Sequence, residues 1–200
     1  MQSALNQFQE NITRVRSLGS LYKRIRNQTT SILDLSDILR AELVLGVSAL
    51  DQYIHEITRI GMIEAYKNNR NQTDAFKKFD CSLENIIQSH QDPSTITWLD
   101  NEIRKKHGWL AFEQPDKIAD AIRLISDVKL WEEVSVLINK NPQDTKDKLK
   151  EIVIRRNKIA HEADIDHSHP NTLWPIDEKY VDESINFIEQ IVNAIHNVIK

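Results

Sequence analysis

The segment "LDLSDILRAELVLGVSALDQYIHEITRIGMIEAY", residues 33 to 66, constrains the fold more than any other part of the chain. Its apolar residues run around most of the circumference of a helix, and such a helix is stable only when other elements enclose it. The pattern predicts a long central helix, capped at Asp34 or Ser36, with further helices packed about it. Glycine and proline are scarce, with four and five copies in 200 residues. An all-β chain needs turn residues about every ten positions, and this sequence does not supply them.

The other segments fit the same architecture. Residues 3 to 26 read as an amphipathic helix with Leu5, Phe8, Ile12, Val15, Leu18, Tyr22 and Ile25 on one face, weakened locally at Gly19. Short helices are expected over "TDAFKKF" and over "SLENIIQ", the second capped by Ser82. "STITWLDNEIRKKHGW" reads as a helix ending at Gly108. "QPDKIADAIRLIS" opens with Pro115 in its first turn and carries its acids on a solvated face. "VKLWEEVSVLIN" directs Leu130, Trp131, Val134 and Leu137 inward. "NPQDTKDKLKEIVIRRNKIAHEAD" opens with Asn141 as N-cap and Pro142 at the first helical position. "IDHSHPNTLWP" is a loop, and "DEKYVDESINFIEQIVNAIHNVI" forms the closing helix. No repeat or linker divides the chain, so the expectation is one all-α helical bundle over residues 1 to 200.

A net charge of −4 excludes a generally basic nucleic-acid coat protein, though not a local basic patch. Cys81 is the lone cysteine, which leaves no intramolecular disulfide and points to a reducing cytoplasm. Cys81 itself is expected to be a small buried or half-buried side chain. The polar start "MQSALNQFQENITRVR" does not resemble a signal peptide, and the apolar runs are too short to span a bilayer.

The functional interest lies in "RRNKIAHEAD", residues 155 to 164. At about 100° per residue, Leu149, Ile152, Val153, Ile159, Ala160 and Ala163 form one apolar stripe with Arg156 in its middle. A guanidinium stays charged, so a buried one needs an acidic partner or an anionic ligand. Lys150, Ile154, Asn157, His161 and Asp164 share one flank. Arg155 and Glu162 lie on the other, where a solvated ion pair is the simple expectation. Arg156 and His161 stand about 140° apart, a gap that a second copy of the helix, packed antiparallel across a two-fold axis, would close. Ile154 on the histidine flank suits such a contact. Residues 146 to 158 hold six Lys or Arg against two acids, a local positive field suited to a phosphate backbone.

Histidine exchanges protons near neutral pH, arginine stabilises charge on phosphoryl oxygens, and asparagine orients a substrate or an imidazole. These parts suffice to cleave RNA through its own 2′-hydroxyl, leaving a 2′,3′-cyclic phosphate and a 5′-hydroxyl, while DNA lacks the nucleophile. Lys150, Lys158 and Arg155 stand by as substrate contacts. Ser48, Asp51 and His55 form a polar seam on the central helix: either a self-satisfied network, or groups in which Asp51 or His55 orients Arg156 or the substrate. "HEADIDHSH" offers His161, Asp166, His167 and His169 as metal donors, but such short-range spacing beside a proline is weak evidence, and no metal or other cofactor is expected. His167 and His169 are placed on an exposed loop beside the cleft. Trp98, Trp109 and Trp131 fall among core apolars, leaving Trp174 as the one candidate for base stacking.

The hexapeptide from Arg156 to His161, late in an all-α chain, resembles the Arg-polar-x-x-x-His signature of the HEPN superfamily. "LRAELVLGVSALDQYIHEI" resembles the central helix of the RiboL-PSP-HEPN group, and "FEQPDKIADAI" followed by "LWEEVSVLI" is similar to its middle section. The resemblance covers about residues 35 to 195, and the first 30 residues carry no family feature. It implies a dimer that brings two motifs into a shared cleft, and a metal-independent endoribonuclease with Arg156 and His161 as the catalytic pair and Asn157 as the polar residue after the arginine. It also implies service in toxin–antitoxin or anti-phage defence systems, with a cognate antitoxin as a possible partner. Some members of the superfamily are instead non-catalytic modules that bind a protein or RNA.

Overall fold

A computed structural model describes residues 1–30, 33–91, 95–169 and 172–200. The element order is α1 (Gln2–Gln28), α2 (Ser36–Tyr66), α3 (Asp74–Lys77), α4 (Leu83–Gln91), α5 (Thr97–His107), α6 (Pro115–Arg123), α7 (Leu130–Leu137), α8 (Pro142–Glu162) and α9 (Glu178–Ile199). The only β-type pairing among the described residues is a single antiparallel bridge between Ile165 and Leu173. The architecture is an all-α helical bundle, with one long helix and several shorter ones.

α2 is its spine. Leu39, Leu43, Val47, Leu50, Tyr53, Ile54, Ile57 and Met62 are all buried, and α1, α5, α6, α8 and α9 pack against the helix from different sides. Its N-cap is Leu35, with no side-chain cap. Asp34 instead accepts a hydrogen bond from the Ser36 amide at 2.8 Å, and Ser36 is the first helical residue. The expected caps of the later helices form. Asn141 accepts from the Gln143 amide at 2.8 Å ahead of Pro142, Pro115 opens α6 and Gly108 ends α5. Ser94, where the sequence pattern starts α5, and Pro170 and Asn171 of the expected loop lie outside the described residues.

Three expectations about packing are corrected. Leu137 is exposed: it is the last residue of α7, whose apolar residues facing the core are Leu130, Trp131 and Val134. Trp109 is 79 % exposed: it follows the Gly108 cap, so the helical spacing that would carry it inward has already stopped. Ala160 and Ala163 are exposed and Ile159 is half-buried, since α8 buries Thr145, Leu149, Ile152 and Val153 before its last turns leave the core.

α1 continues unbroken through Gly19, which is buried. A β-carbon there would lie 2.8 Å from both carboxylate oxygens of Glu42, so glycine provides the close approach of α1 to α2. Glu42 is itself buried. Desolvation, reinforced by the nearby charge of Asp182, pushes its carboxyl up to about 7, against the pull of Arg16 and Lys23. A carboxyl raised in the folded state favours folding while it holds its proton, and that contribution fades as pH rises from its ordinary 4.5 through about 7. Glu42→Gln should therefore match the wild type in urea stability at acidic pH. Its advantage should then grow across that window, as read from parallel urea titrations.

Candidate functional site

The site is built on the last turns of α8, and their position depends on how the helix stops. Ala163 and Asp164 both adopt left-handed backbone, with φ of 50° and 56°. Each such residue without glycine costs roughly 1–2 kcal/mol, so something must hold them. The Asp164 carboxylate does. It is 1 % exposed and accepts from Arg40 Nε at 2.7 Å and from Arg155 Nη2 at 2.8 Å, with Arg155 Nη1 on its other oxygen. Arg40 and Arg155 also donate to the Trp174 carbonyl, at 2.9 and 3.1 Å. The Trp174 amide returns to the Asp164 carbonyl at 2.9 Å.

This knot overturns the expected Arg155–Glu162 pair. The chain turns left-handed after Glu162 and brings Asp164 back under Arg155, leaving Glu162 in solvent. Arg155 is thus structural, and Asp164 does not share the exposed flank of Asn157 and His161. Asp164→Ala would leave two sequestered guanidiniums without their carboxylate and should cost about 3–5 kcal/mol in urea unfolding. Glu162→Ala should change stability by no more than about 0.5 kcal/mol.

Arg156 turns into the protein, as its place in the apolar stripe requires. It is ion-paired with Glu113, a buried carboxylate in the segment leading into α6. Burial lowers the guanidinium's pKa from its ordinary value, and the charge of Asp51 opposes that shift. Asp51 also accepts from the Phe112 amide at 2.5 Å, which fixes the segment that carries Glu113. His55 lies 3.7 Å from Asp51 and its Nε2 is 3.2 Å from the Leu110 carbonyl. Of the polar seam, Asp51 and His55 thus adjoin Arg156 and its supporting segment, while Ser48 is exposed and lines a separate groove with residues of α1.

Two polar atoms are left over. Arg156 Nε and Asn157 Oδ1 are both buried without a hydrogen-bond partner. His161 is exposed, with no side-chain partner among the described residues and no hydrogen bond to Arg156. Within one chain the arginine points inward and the histidine outward, as the 140° separation anticipates. Lys150 is exposed, and Lys158 lies over the Trp174 ring at 5.0 Å. Most other charges of the basic run are matched: Lys148 by Glu151 at 3.2 Å, Arg155 by Asp164 and Arg156 by Glu113. Trp174 is 37 % exposed. His167 and His169 are exposed, and His169 Nδ1 is 3.0 Å from Asp166. Among the described residues no three His, Cys, Asp or Glu side chains converge as metal ligands, and no helix is long and apolar enough to cross a membrane.

Sequence reasoning missed Glu113, Asp164 as an anchor, and Arg40. Arg40 carried a readable signal, being a guanidinium on the apolar central helix, the same anomaly that singled out Arg156. Glu113 carried none, since it lies in a loop far from α8 in sequence.

An α-helical bundle presenting Arg-x4-His near the end of a core helix is the arrangement that the sequence resemblance to HEPN proteins implies. The family model RiboL-PSP-HEPN matches residues 9–200, and the chain belongs to that family. The match takes in most of α1, so the family domain begins well before residue 35, where the sequence resemblance placed it. No curated protein and no solved structure matches the chain. Family membership supports a general ribonuclease- or toxin-like role.

Proposed function

We propose that this protein is a dimeric endoribonuclease of a toxin or anti-phage defence system, in which Arg156, Asn157 and His161 act on the 2′-hydroxyl and the scissile phosphate of RNA. The observation that carries the reading is the unfinished state of these three residues. Arg156 Nε and Asn157 Oδ1 are buried and unpartnered, and His161 is exposed beside them on the same helix. Buried polar atoms are rarely left unpaired, and a phosphate oxygen and a 2′-hydroxyl are groups that complete such a set.

In this mechanism one His161 takes the proton of the 2′-hydroxyl, and its oxygen attacks phosphorus. The bond from phosphorus to the 5′-oxygen breaks, and that oxygen takes a proton from the second His161, supplied by the other subunit. Arg156 stabilises the charge that builds on the non-bridging oxygens. Asn157 positions the substrate, Lys150 and Lys158 attract the strand, and Asp51 and His55 steady the segment that holds Arg156. The nucleophile belongs to the RNA, so the scheme calls on no metal, and the protein would work in the cytoplasm alongside a cognate antitoxin.

A second reading rests on one observation: Glu113 already neutralises Arg156. An arginine committed to a buried carboxylate suits a silent module that binds RNA or a partner protein. RNA incubated with the protein in EDTA separates the two readings. Cyclic-phosphate and 5′-hydroxyl ends should appear, DNA should persist, and His161→Ala should slow the reaction at least about 100-fold. Intact RNA, or cleavage that survives His161→Ala, overturns the catalytic assignment. The shared cleft has its own measurement: light scattering at micromolar concentration should give twice the chain mass, and a monomer rules out a site made from two subunits.

A further inference from the structure

A cavity of about 430 Å³ lies between α2 and α5, lined by Asp51, Gln52, His55, Arg59, His107 and Gly108 among others. We propose that this cavity holds a nucleobase, that of the nucleotide next to the scissile phosphate, and so sets which RNA sequences are cut. The proposal rests on the ribonuclease reading for its link to cleavage, but the pocket itself stands on separate observations.

The first is position. Asp51 belongs to both places: it lines the cavity, and it accepts from the Phe112 amide at 2.5 Å, next to the Glu113 that pairs with Arg156. On the proposal, a phosphate held at Arg156 would send the base of its own nucleotide toward the cavity mouth. The second is charge. The cavity's guanidiniums are already engaged, Arg59 by Glu56 at 2.9 Å and by Asp100 at 2.5 Å, and Arg104 by Asp100 at 3.1 Å. Among the described residues no unpaired cation lines the cavity to attract a phosphate into it. Nor do three acidic or imidazole side chains converge there as metal ligands, among the described residues. What the lining suits is a neutral group, flat and rich in hydrogen-bonding edges.

The third observation is an unused polar atom. His107 is 6 % exposed, and its Nδ1 has no hydrogen-bond partner. Its ring is gripped edge-on by Phe79 and Phe112, with centroids at 5.8 and 5.3 Å. Burial, with the nearby His55 adding to it, pulls its pKa down to about 4, so at neutral pH the imidazole is an uncharged donor and acceptor. His55 also packs against Phe112, with ring centroids 4.6 Å apart. Gln52 is exposed at the rim, its amide free of any partner among the described residues, and it offers both a donor and an acceptor to a base edge. The cavity wall itself thus offers two flat imidazole rings beside Ile103 and the Gln52 amide, and flat faces with a few convergent polar groups are how single-stranded RNA bases are taken up.

The test uses the full-length chain carrying His161→Ala, which removes an exposed side chain without a partner. Nucleoside 3′-monophosphates should shift the imidazole NMR signals of His55 and His107, whereas inorganic phosphate at the same concentration should not. Gln52→Trp, which fills the cavity from an exposed position, should weaken nucleotide binding at least about tenfold. In the background that retains His161, the same substitution should redistribute the 5′-hydroxyl ends along an unstructured RNA. An absent response, an equal response to inorganic phosphate, or indifference to Gln52→Trp overturns the pocket. RNA cleavage without any nucleotide response keeps the ribonuclease reading and removes the pocket. Nucleotide binding without RNA cleavage does the reverse, and leaves a site for free nucleotides.

Discussion

A guanidinium keeps its charge wherever the chain puts it, and three of them on the functional side of this bundle are taken largely out of water. Arg40 leaves α2 from its buried face, and Arg155 and Arg156 are adjacent on α8. Each has to be met by a carboxylate, because an unpaired buried charge costs more than a small domain can spare. Asp164 meets two of them and Glu113 the third. These pairings explain features that otherwise look unrelated: the two left-handed residues after the motif, the return of the 174–175 backbone over α8, and the course of the segment before α6. The candidate site is the part of α8 left over once those demands are met.

The elements themselves were legible in the sequence because their signals are local. Periodicity identifies α2 and α9, proline and asparagine mark the starts of α6 and α8, and Gly108 ends α5. The site was legible one step further. A guanidinium in an apolar stripe announces its need for an acid, and the structure supplies Glu113. Which acid would answer was not legible, since the choice depends on how α6 and α8 are brought together across more than forty residues of chain. The same limit explains the misplacement of Arg155. A helical wheel assumes the helix continues, and on that assumption Glu162 is its natural partner. The helix instead reverses hand at Ala163, and Asp164 arrives from below. Trp109 fails for a related reason, lying where helical spacing still holds in the sequence but the helix has ended, and Leu137 is the last residue of its helix.

The paired arginines also alter what the basic run of α8 means. Six cations against two acids in residues 146 to 158 read as a strong positive field. In the fold, acids from elsewhere answer two of the six, and a neighbour on α8 answers Lys148. Lys146 and Lys150 remain without an acidic partner among the described residues, and Lys158 spreads its charge over Trp174. A single chain thus presents a modest field, screened over about 8–10 Å at physiological salt. Under the proposed two-fold arrangement the same lysines are counted twice around one cleft. The substrate would then be drawn to the assembled pair more than to either subunit.

Burying Arg156 against Glu113 has a further consequence for how such a site works. An arginine free in solvent would bind any passing phosphate, whereas one held by a carboxylate must exchange part of that pairing for the phosphate oxygens. The exchange favours a ligand only where charge is greatest, which in phosphoryl transfer is the transition state rather than the resting diester. In the proposed mechanism Glu113 would therefore weaken binding of the ground state while leaving Arg156 oriented, and Asp51 holds the segment that carries Glu113. Under the proposed two-fold arrangement the exposed His161 would be met by its symmetry mate, and the two halves of the proposed chemistry would be kept apart in the single chain. The same carboxylate that makes the burial of Arg156 tolerable would also keep an unassembled subunit a poor nuclease.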